Sequence, residues 1–223
     1  MISTPSHLRI AACVLLLSAS ACRVSASVGN GEQGNGVAKT DTREVTEFDE
    51  IQVDGTVKLD LATGPLDKLT VTGDENLLPL IATEVVGGRL VIHEAKPLHS
   101  KTPLVVSVHA PAVARIDTSG VASVIASGLQ GPSFTFTSTG VTDSQLSGQV
   151  TSLEIQSGGA GTVHAAGLAA RQVHVTISGA GTVEVDATEK LKADVSGVGS
   201  VKYRGTPAIE KNVSGVGSVG PLG

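Results

Sequence analysis

The chain has 223 residues, with 27 Gly and 9 Pro but no Trp, 1 Tyr and 3 Phe, and 40% of it is hydrophobic. That apolar content excludes global disorder, and so few aromatic residues leave a thin core of Val, Ile, Leu, Ala and Gly. A formal charge of −5 without any basic run argues against nucleic acid as a partner.

Residues 1–21 read as a signal peptide. Arg9 gives a weakly basic start, Ile10 to Leu17 is a short apolar run, and small residues lead to Cys22. The run is too short to span a bilayer. Cys13 lies inside it and is removed with it, so Cys22 is the lone mature cysteine and has no intrachain partner. Ala19, Ser20 and Ala21 also satisfy ordinary cleavage, but a lone cysteine directly after that point resembles a bacterial lipobox. Arg23, where an Asp would retain the protein at the inner membrane, resembles an outer-membrane address. The expectation is an exported lipoprotein that meets the membrane through its lipid anchor. Residues 22–44, with the Gly/Asn/Ser/Thr-rich stretch from Ser25 to Thr42, read as a lipid-anchored flexible linker.

Residues 45–112 read as a strand-rich N-terminal β region. Alternating runs occur at Ile51–Val53, Val57–Leu61, Leu69–Val71, Ile81–Val86 and Leu90–Ile92. Gly87-Gly88 marks a hairpin between two of them. Asp74–Leu80 is the only candidate helical turn, Pro97 to Pro103 is a loop, and Leu104–Ala110 is a further strand. These strands form either a cap or the opening rungs of a continuous β architecture.

Residues 113–223 carry an internal repeat. Its copies are Ser119-Gly-Val-Ala-Ser-Val124, Gly158-Gly-Ala-Gly-Thr-Val163, Ser178-Gly-Ala-Gly-Thr-Val183, Ser196-Gly-Val-Gly-Ser-Val201 and Ser214-Gly-Val-Gly-Ser-Val219, with a degenerate copy at Thr139-Gly140-Val141. Gly120, Gly140, Gly159, Gly179, Gly197 and Gly215 recur every 18 to 20 residues. Side chains alternate on both sides of each glycine: Val173, Val175, Ile177, Val183, Val185 and Ala187 share one face, while His174, Thr176, Thr182, Glu184 and Asp186 share the other. Two aliphatic half-strands thus meet at a sharp corner, where the interior has room for a hydrogen or a methyl. A unit this short cannot bury its apolar face alone, but stacking covers it. The pattern predicts an all-β fold, a right-handed parallel β-helix (solenoid) of about 18–20-residue rungs. Val163, Val183, Val201 and Val219 then form an inward ladder, and Thr162, Thr182, Ser200 and Ser218 form an outward polar row, the candidate contact face. A solenoid end also offers a surface for end-to-end self-association.

Several segments together resemble the head GIN domain family, a bacterial envelope family named "putative auto-transporter adhesins". They are Phe48-Asp-Glu-Ile-Gln-Val-Asp-Gly55, Val71-Thr-Gly-Asp-Glu-Asn-Leu77, Gly88-Arg-Leu-Val-Ile92, Ala110-Pro-Ala-Val-Ala-Arg-Ile116 and the Ser-Gly repeats. The resemblance runs from about residue 46 to 219. It implies a right-handed β-helix and a contact role toward an envelope or extracellular protein or glycan, and it brings no catalytic residues with it. The second copy departs from the motif at Thr142-Asp143, which predicts an irregular rung.

Enzyme chemistry is the rival class, as a β-helix acting on a polysaccharide. It would need two carboxylates held together, and Glu184, Asp186 and Asp194 are the candidates. Solubilising surface charge explains them better, as it explains Arg171, Lys190, Lys192, Lys202 and Arg204 better than an anion-binding face does. His164 and His174 lack a third ligand for a metal, and the loop spacing of His93, His99 and His109 gives no signature. Calcium-binding β-rolls need Asp where Val163 and Val183 stand. Gly-x-Ser-x-Gly is absent, so the repeated serines are not nucleophile elbows. The sequence therefore predicts a non-enzymatic protein with no cofactor and no metal.

Acylation makes one direct prediction. Cys22→Ser should block lipoprotein processing and abolish labelling by a palmitate analogue. An unlabelled wild-type protein in the soluble fraction would overturn it.

Overall fold

The computed structural model describes residues 31–223, which form one compact unit. The expected signal peptide and Cys22 lie outside the described residues. Among the described residues no helix is long and apolar enough to cross a membrane.

The alternation read from the sequence becomes strand throughout, as a β-solenoid of about five turns. Strands β1 (Glu32–Gln33) and β2 (Ala38–Arg43) precede β3 (Glu50–Thr63) and β4 (Leu69–Asp74). A 3-10 turn at Leu78–Leu80, inside the predicted helical stretch, leads to β5 (Ile81–Val86) and β6 (Arg89–Glu94). Gly87 and Gly88, at φ 60° and 82°, form the tight turn of that antiparallel hairpin. The short β7 (Leu98–His99) sits inside the stretch expected to be a plain loop, and β8 (Val105–Ala110) follows it. The turns proper are β9 (Arg115–Ser138), β10 (Val141–Ser157), β11 (Ala160–Ile177), β12 (Ala180–Val195), the pair β13 (Val198–Arg204) and β14 (Ala208–Val213), and β15 (Val216–Pro221). Each pairs in parallel with the turn before it. The sixth glycine, Gly215, introduces only the short strand β15.

The N-terminal region is not a separate body. β3 runs in parallel register with β9 from Glu50–Arg115 to Ala62–Ser127, so it is itself the opening rung. β6 covers one half of its other edge and β8 covers the other half, both in parallel. The antiparallel strands β4 and β5 extend these two patches and close the end of the solenoid.

The inside is a set of ladders. Val163, Val183 and Val201 are buried and in register with one another, and Val219 continues the row half-buried. On the other long side the ladder Phe136, Ile155, Val175, Ala193 shrinks step by step. Phe134 and Phe136 are fully buried and fill the interior of the first turn, where the turn is 20 residues long. The later turns close in 18 residues and need smaller fillers.

The second copy keeps its register at Thr142 and Asp143 themselves, and the irregularity of that rung falls a few residues later, in register shifts at Gln145/Ser147 and Leu146/Gly148. Thr142 pairs with Gly161 and Ala122, and Ser144 pairs with Val163 and Val124, without a shift. Polar side chains replace apolar ones inside, and hydroxyls bond one another there. Thr142 Oγ1 lies 2.6 Å from Ser138 Oγ and 3.3 Å from Thr118 Oγ1. Ser144 Oγ is buried without a partner.

The corner glycines are needed for a different reason from the one the pattern suggests. A Cβ on Gly179 would collide with the carbonyl oxygens of Gly159 and Gly158, well inside the 3.0 Å that real Cβ atoms respect. Gly140, Gly159, Gly197 and Gly215 meet the carbonyl of the glycine one turn earlier in the same way. The missing space is therefore along the solenoid axis, against backbone, and not toward the interior. Hydrogen bonds fix this approach. Ser178 and Gly179 both donate to the Ser157 carbonyl, at 2.9 and 3.2 Å, and Ala180 donates to Gly159 at 2.8 Å. The next two corners repeat the arrangement on Ile177 and Gly179, and on Val195 and Gly197.

Residues 31–44 correct the linker expectation, because they are bonded to the fold. β1 pairs with β7, and β2 pairs antiparallel with β4. The side chains that hold this strap come from one short run. Asp74 is fully buried and accepts from the Gly36, Lys101 and Thr102 amides and the Ser100 hydroxyl. Asn76 accepts from the Asn35 amide and donates to the Gln33 carbonyl, and Glu75 pairs with Lys39 at 2.8 Å. Further along, Arg43 donates to the carbonyls of Ile81 and Leu78. A Gly/Asn-rich composition reads as flexible only when nothing satisfies its backbone.

Two predictions follow from the corner and the strap. Gly179→Val should destabilise by about 1–3 kcal/mol or more, through overpacking against backbone, while Thr182→Val on the outside should change little. Urea unfolding of the two variants checks this, and equal midpoints would contradict it. At Asp74, burial favours the neutral acid, but the four hydrogen bonds outweigh it and hold the carboxyl down to about 2. A depressed folded pKa contributes stability above the unfolded value near ~3.9 and loses it as pH falls toward about 2. The amide-exchange protection factors of Ala38–Arg43, taken relative to the intrinsic rate at each pH, should therefore fall below about pH 4, and Asp74→Asn should show that loss of protection already at neutral pH.

Candidate contact face

Each turn has two long sides. On the first, the residues after the corner glycine alternate in and out, and the parallel register turns every outward position into a row along the solenoid. Thr162, Thr182, Ser200 and Ser218 are paired in succession, as the repeat predicts. Thr182 Oγ1 and Ser200 Oγ are 3.3 Å apart. The row does not stop at these four. Asp143 pairs with Thr162, Ser123 with Asp143, and Lys58 with Ser123. Ser123 belongs to the first repeat copy and could have been added from it. Asp143 is hidden by the departure of the second copy, and Lys58 by the distance in sequence to β3.

Beside the hydroxyl row runs an apolar one, made by the residue directly after each corner glycine. It comprises Val121, Val141, Ala160, Ala180, Val198 and Val216, in register. Its valines are each more than half exposed. The face is therefore flat, with methyls in one row and hydroxyls in the next, and rungs spaced about 4.8 Å apart. At its N-terminal end Pro103 and Leu104 rise over Val121 and Val141 and make a groove of about 490 Å³.

The second long side differs chemically. Glu154, His174, Lys192 and Glu210 stand in one register row. His174 Nε2 lies 3.0 Å from Asp194 Oδ2, and Lys192 Nζ lies 3.7 Å from the same oxygen. The His174 hydrogen bond, opposed by some burial and aided by Lys192, holds the Asp194 carboxyl below its ordinary value. Charge in a ladder of this kind is screened and worth little individually.

Asp194 stands apart from the other two candidate carboxylates, Glu184 and Asp186, which lie two residues apart on β12. Glu184 lies on the first side with His164 Nδ1 at 2.8 Å, while Asp194 lies on the second side with His174. Asp186 follows Glu184 near the next corner, opposite Ala169. Each of the two histidines is thus tied to a carboxylate of the following rung. His93, His99 and His109 fall on three different strands, β6, β7 and β8. Among the described residues no three His, Cys, Asp or Glu side chains form a metal-binding group.

Comparison with known proteins agrees with this architecture. The model of a family described as "Putative auto-transporter adhesin, head GIN domain" matches residues 47–207. Among solved structures, the chain is similar to an adhesin-titled protein of Bacteroides fragilis at 24% identity and a TM-score of 0.69, covering 86% of this chain and 100% of that one. A second adhesin-titled protein, from Parabacteroides merdae, aligns at 22% identity and a TM-score of 0.55, covering 87% and 100%. A protein of Parabacteroides distasonis titled as lipid-binding aligns at 22% identity and a TM-score of 0.56, covering 86% and 99%. No curated protein matches the sequence.

Proposed function

This chain belongs to the head GIN domain family, and on that premise we propose that it is a non-enzymatic envelope lipoprotein whose solenoid presents a flat face for adhesion to an envelope or extracellular protein or glycan. The observation that carries the reading is the unbroken register of the row from Ser123 through Asp143, Thr162, Thr182 and Ser200 to Ser218. Contact along a solenoid is the sum of many shallow interactions repeated from rung to rung. A face of methyls and hydroxyls at fixed spacing suits that use, and it immobilises no long side chains on binding. The family description supports an adhesion-type role and export to the envelope.

Acylation at Cys22 belongs to the same proposal, and so does an outer-membrane position. Because the strap is bonded from Glu32 onward, only residues 23–30 then lie between the lipid and the first described residue. Fully extended, they reach no further than about 29 Å. The protein would work close to its membrane and not at the end of a long leash. A non-enzymatic reading is favoured by the separation of Glu184 and Asp194 onto different sides of the turn.

The row is testable as a unit. Replacing Thr162, Thr182 and Ser200 together by Lys should abolish binding to envelope extracts while the melting temperature stays within a few degrees. Ala at Glu184, Asp186 or His174 singly should leave that binding within about twofold, because no single contact dominates a distributed surface. Loss of a polysaccharide-cleaving activity on changing one of those carboxylates, with the fold intact, would replace this reading with the enzyme.

A further inference from the structure

The turn lengths point to a second site. Gly120 to Gly179 spans turns of 20, 19 and 20 residues, whereas the last two take 18. Eighteen residues therefore suffice to close a turn of this solenoid, and the first three turns carry one or two more than closure requires. The register shows where the extra residues sit. Between β9 and β10 the shift falls at Leu146/Gly148, and between β10 and β11 at Gln145/Ser147. Between β11 and β12 it falls at Ala165/Ala169 and Ala170/Gln172. All of these lie on the same corner region, away from the Ser-Gly corner and from the Ser/Thr row.

Just past these shifts along the chain lies a polar groove of about 560 Å³. Gln130, Gln149, Thr151 and Arg171 line it, over backbone left bare by Gly131 and Gly148. Those glycines have φ of 147° and 140°, a conformation that disfavours a side chain. Gln130 and Gln149 are in register on adjacent rungs, so their backbones stand about 4.8 Å apart. Gln130, Gln149 and Thr151 are exposed and spend no side-chain hydrogen bond on another described residue. Arg171 is held by Glu189 through Nε and one terminal nitrogen, which leaves further N–H donors of its planar fork free.

We propose that this groove is a saccharide-binding site, separate from the Ser/Thr row. Paired amides, each both donor and acceptor, with a hydroxyl beside them, match the alternating donor and acceptor character of sugar hydroxyls. At Gly131, where a Cβ would meet nothing nearer than 3.9 Å, a ring can lie close to the backbone. A peptide finds less there: the rung backbones are already paired with each other, and the groove offers no apolar pocket to seat a side chain. An open groove without aromatic platforms binds weakly, in the millimolar range for a single short chain, and gains strength from repetition on a surface.

The test is NMR titration of the purified protein with maltotriose, with the N-acetylglucosamine trimer and with trigalacturonate. At least one should cause saturable shifts in the amides of residues 128–131 and 148–151. Gln130→Ala with Gln149→Ala should weaken that binding about tenfold without changing the melting temperature, since both side chains are exposed. Arg171→Gln should weaken trigalacturonate selectively if the natural sugar is acidic, and should affect a neutral sugar little. The proposal is overturned if none of the three gives saturable shifts up to about 20 mM, a concentration above the expected range, or if the double variant binds as the wild type does. Shifts centred on Thr162, Thr182 and Ser200 would also overturn it, while leaving the contact-face reading standing. Lysine at those three positions should not alter sugar binding in the groove, so the two sites fail separately.

Discussion

At every Ser-Gly corner a glycine Cα rests against the carbonyl oxygen of the glycine one turn before, and the amide that follows it donates to that same oxygen. No side chain fits into that approach, so the rungs can stack at hydrogen-bonding distance around the bend only if each one brings a glycine there. The ladder begins earlier than the repeat does. Gly120 lies over Gly55, whose carbonyl and amide would crowd its Cβ. Glycines 55, 120, 140, 159, 179, 197 and 215 form one axial line, and the rows on both long sides take their register from it. A bend that closed over a side chain would splay the strands and unpair each row downstream.

With the register fixed, the chemistry of the surface is decided two residues at a time. From Gly120 onward the position after each glycine is small and apolar, the next outward position carries a hydroxyl except at Asp143, and the one beyond it is mixed. The opposite long side holds carboxylates, His174 and Lys192 in partnered ladders. The second side thus carries the longer charged row, while the first side combines short methyl and hydroxyl rows with a few charges such as Asp143 and the His164–Glu184 pair. The shrinking interior ladder from Phe136 to Ala193 does not disturb this division, because only inward residues change along it.

The solenoid was legible in the sequence because its signals are local: a glycine every 18 to 20 residues, and strict alternation around it. The inward Val row and the outward Thr/Ser row follow from those two facts alone. Gly55 escaped because the strands of residues 64–112 intervene between it and Gly120, so no period marks it. The strap escaped for another reason. Its own residues, from Gly31 to Thr42, are ordinary linker residues, and what orders them is Asp74, Asn76 and Glu75, more than thirty positions away. Those three were in view as part of the Val71–Leu77 motif, but a family motif does not say which backbone it binds. The groove beside Gln130 and Gln149 was present in the sequence only as an unevenness in the spacing, which reads as noise until the register shows that the extra residues share one corner.

The regular step between rungs also bears on how the chain finds its fold. Once β9 and β10 have met, each later pairing joins residues 17 to 20 apart. The loop-closure entropy is then nearly the same at each addition, and no distant segment has to be awaited. The costly events are confined to the start, where β3 must find β9 across more than sixty residues. The turn holding Phe134 and Phe136 offers the largest apolar surface to offset that cost. Growth from there resembles the elongation of a one-dimensional crystal, with a slow nucleus and fast, nearly identical steps after it.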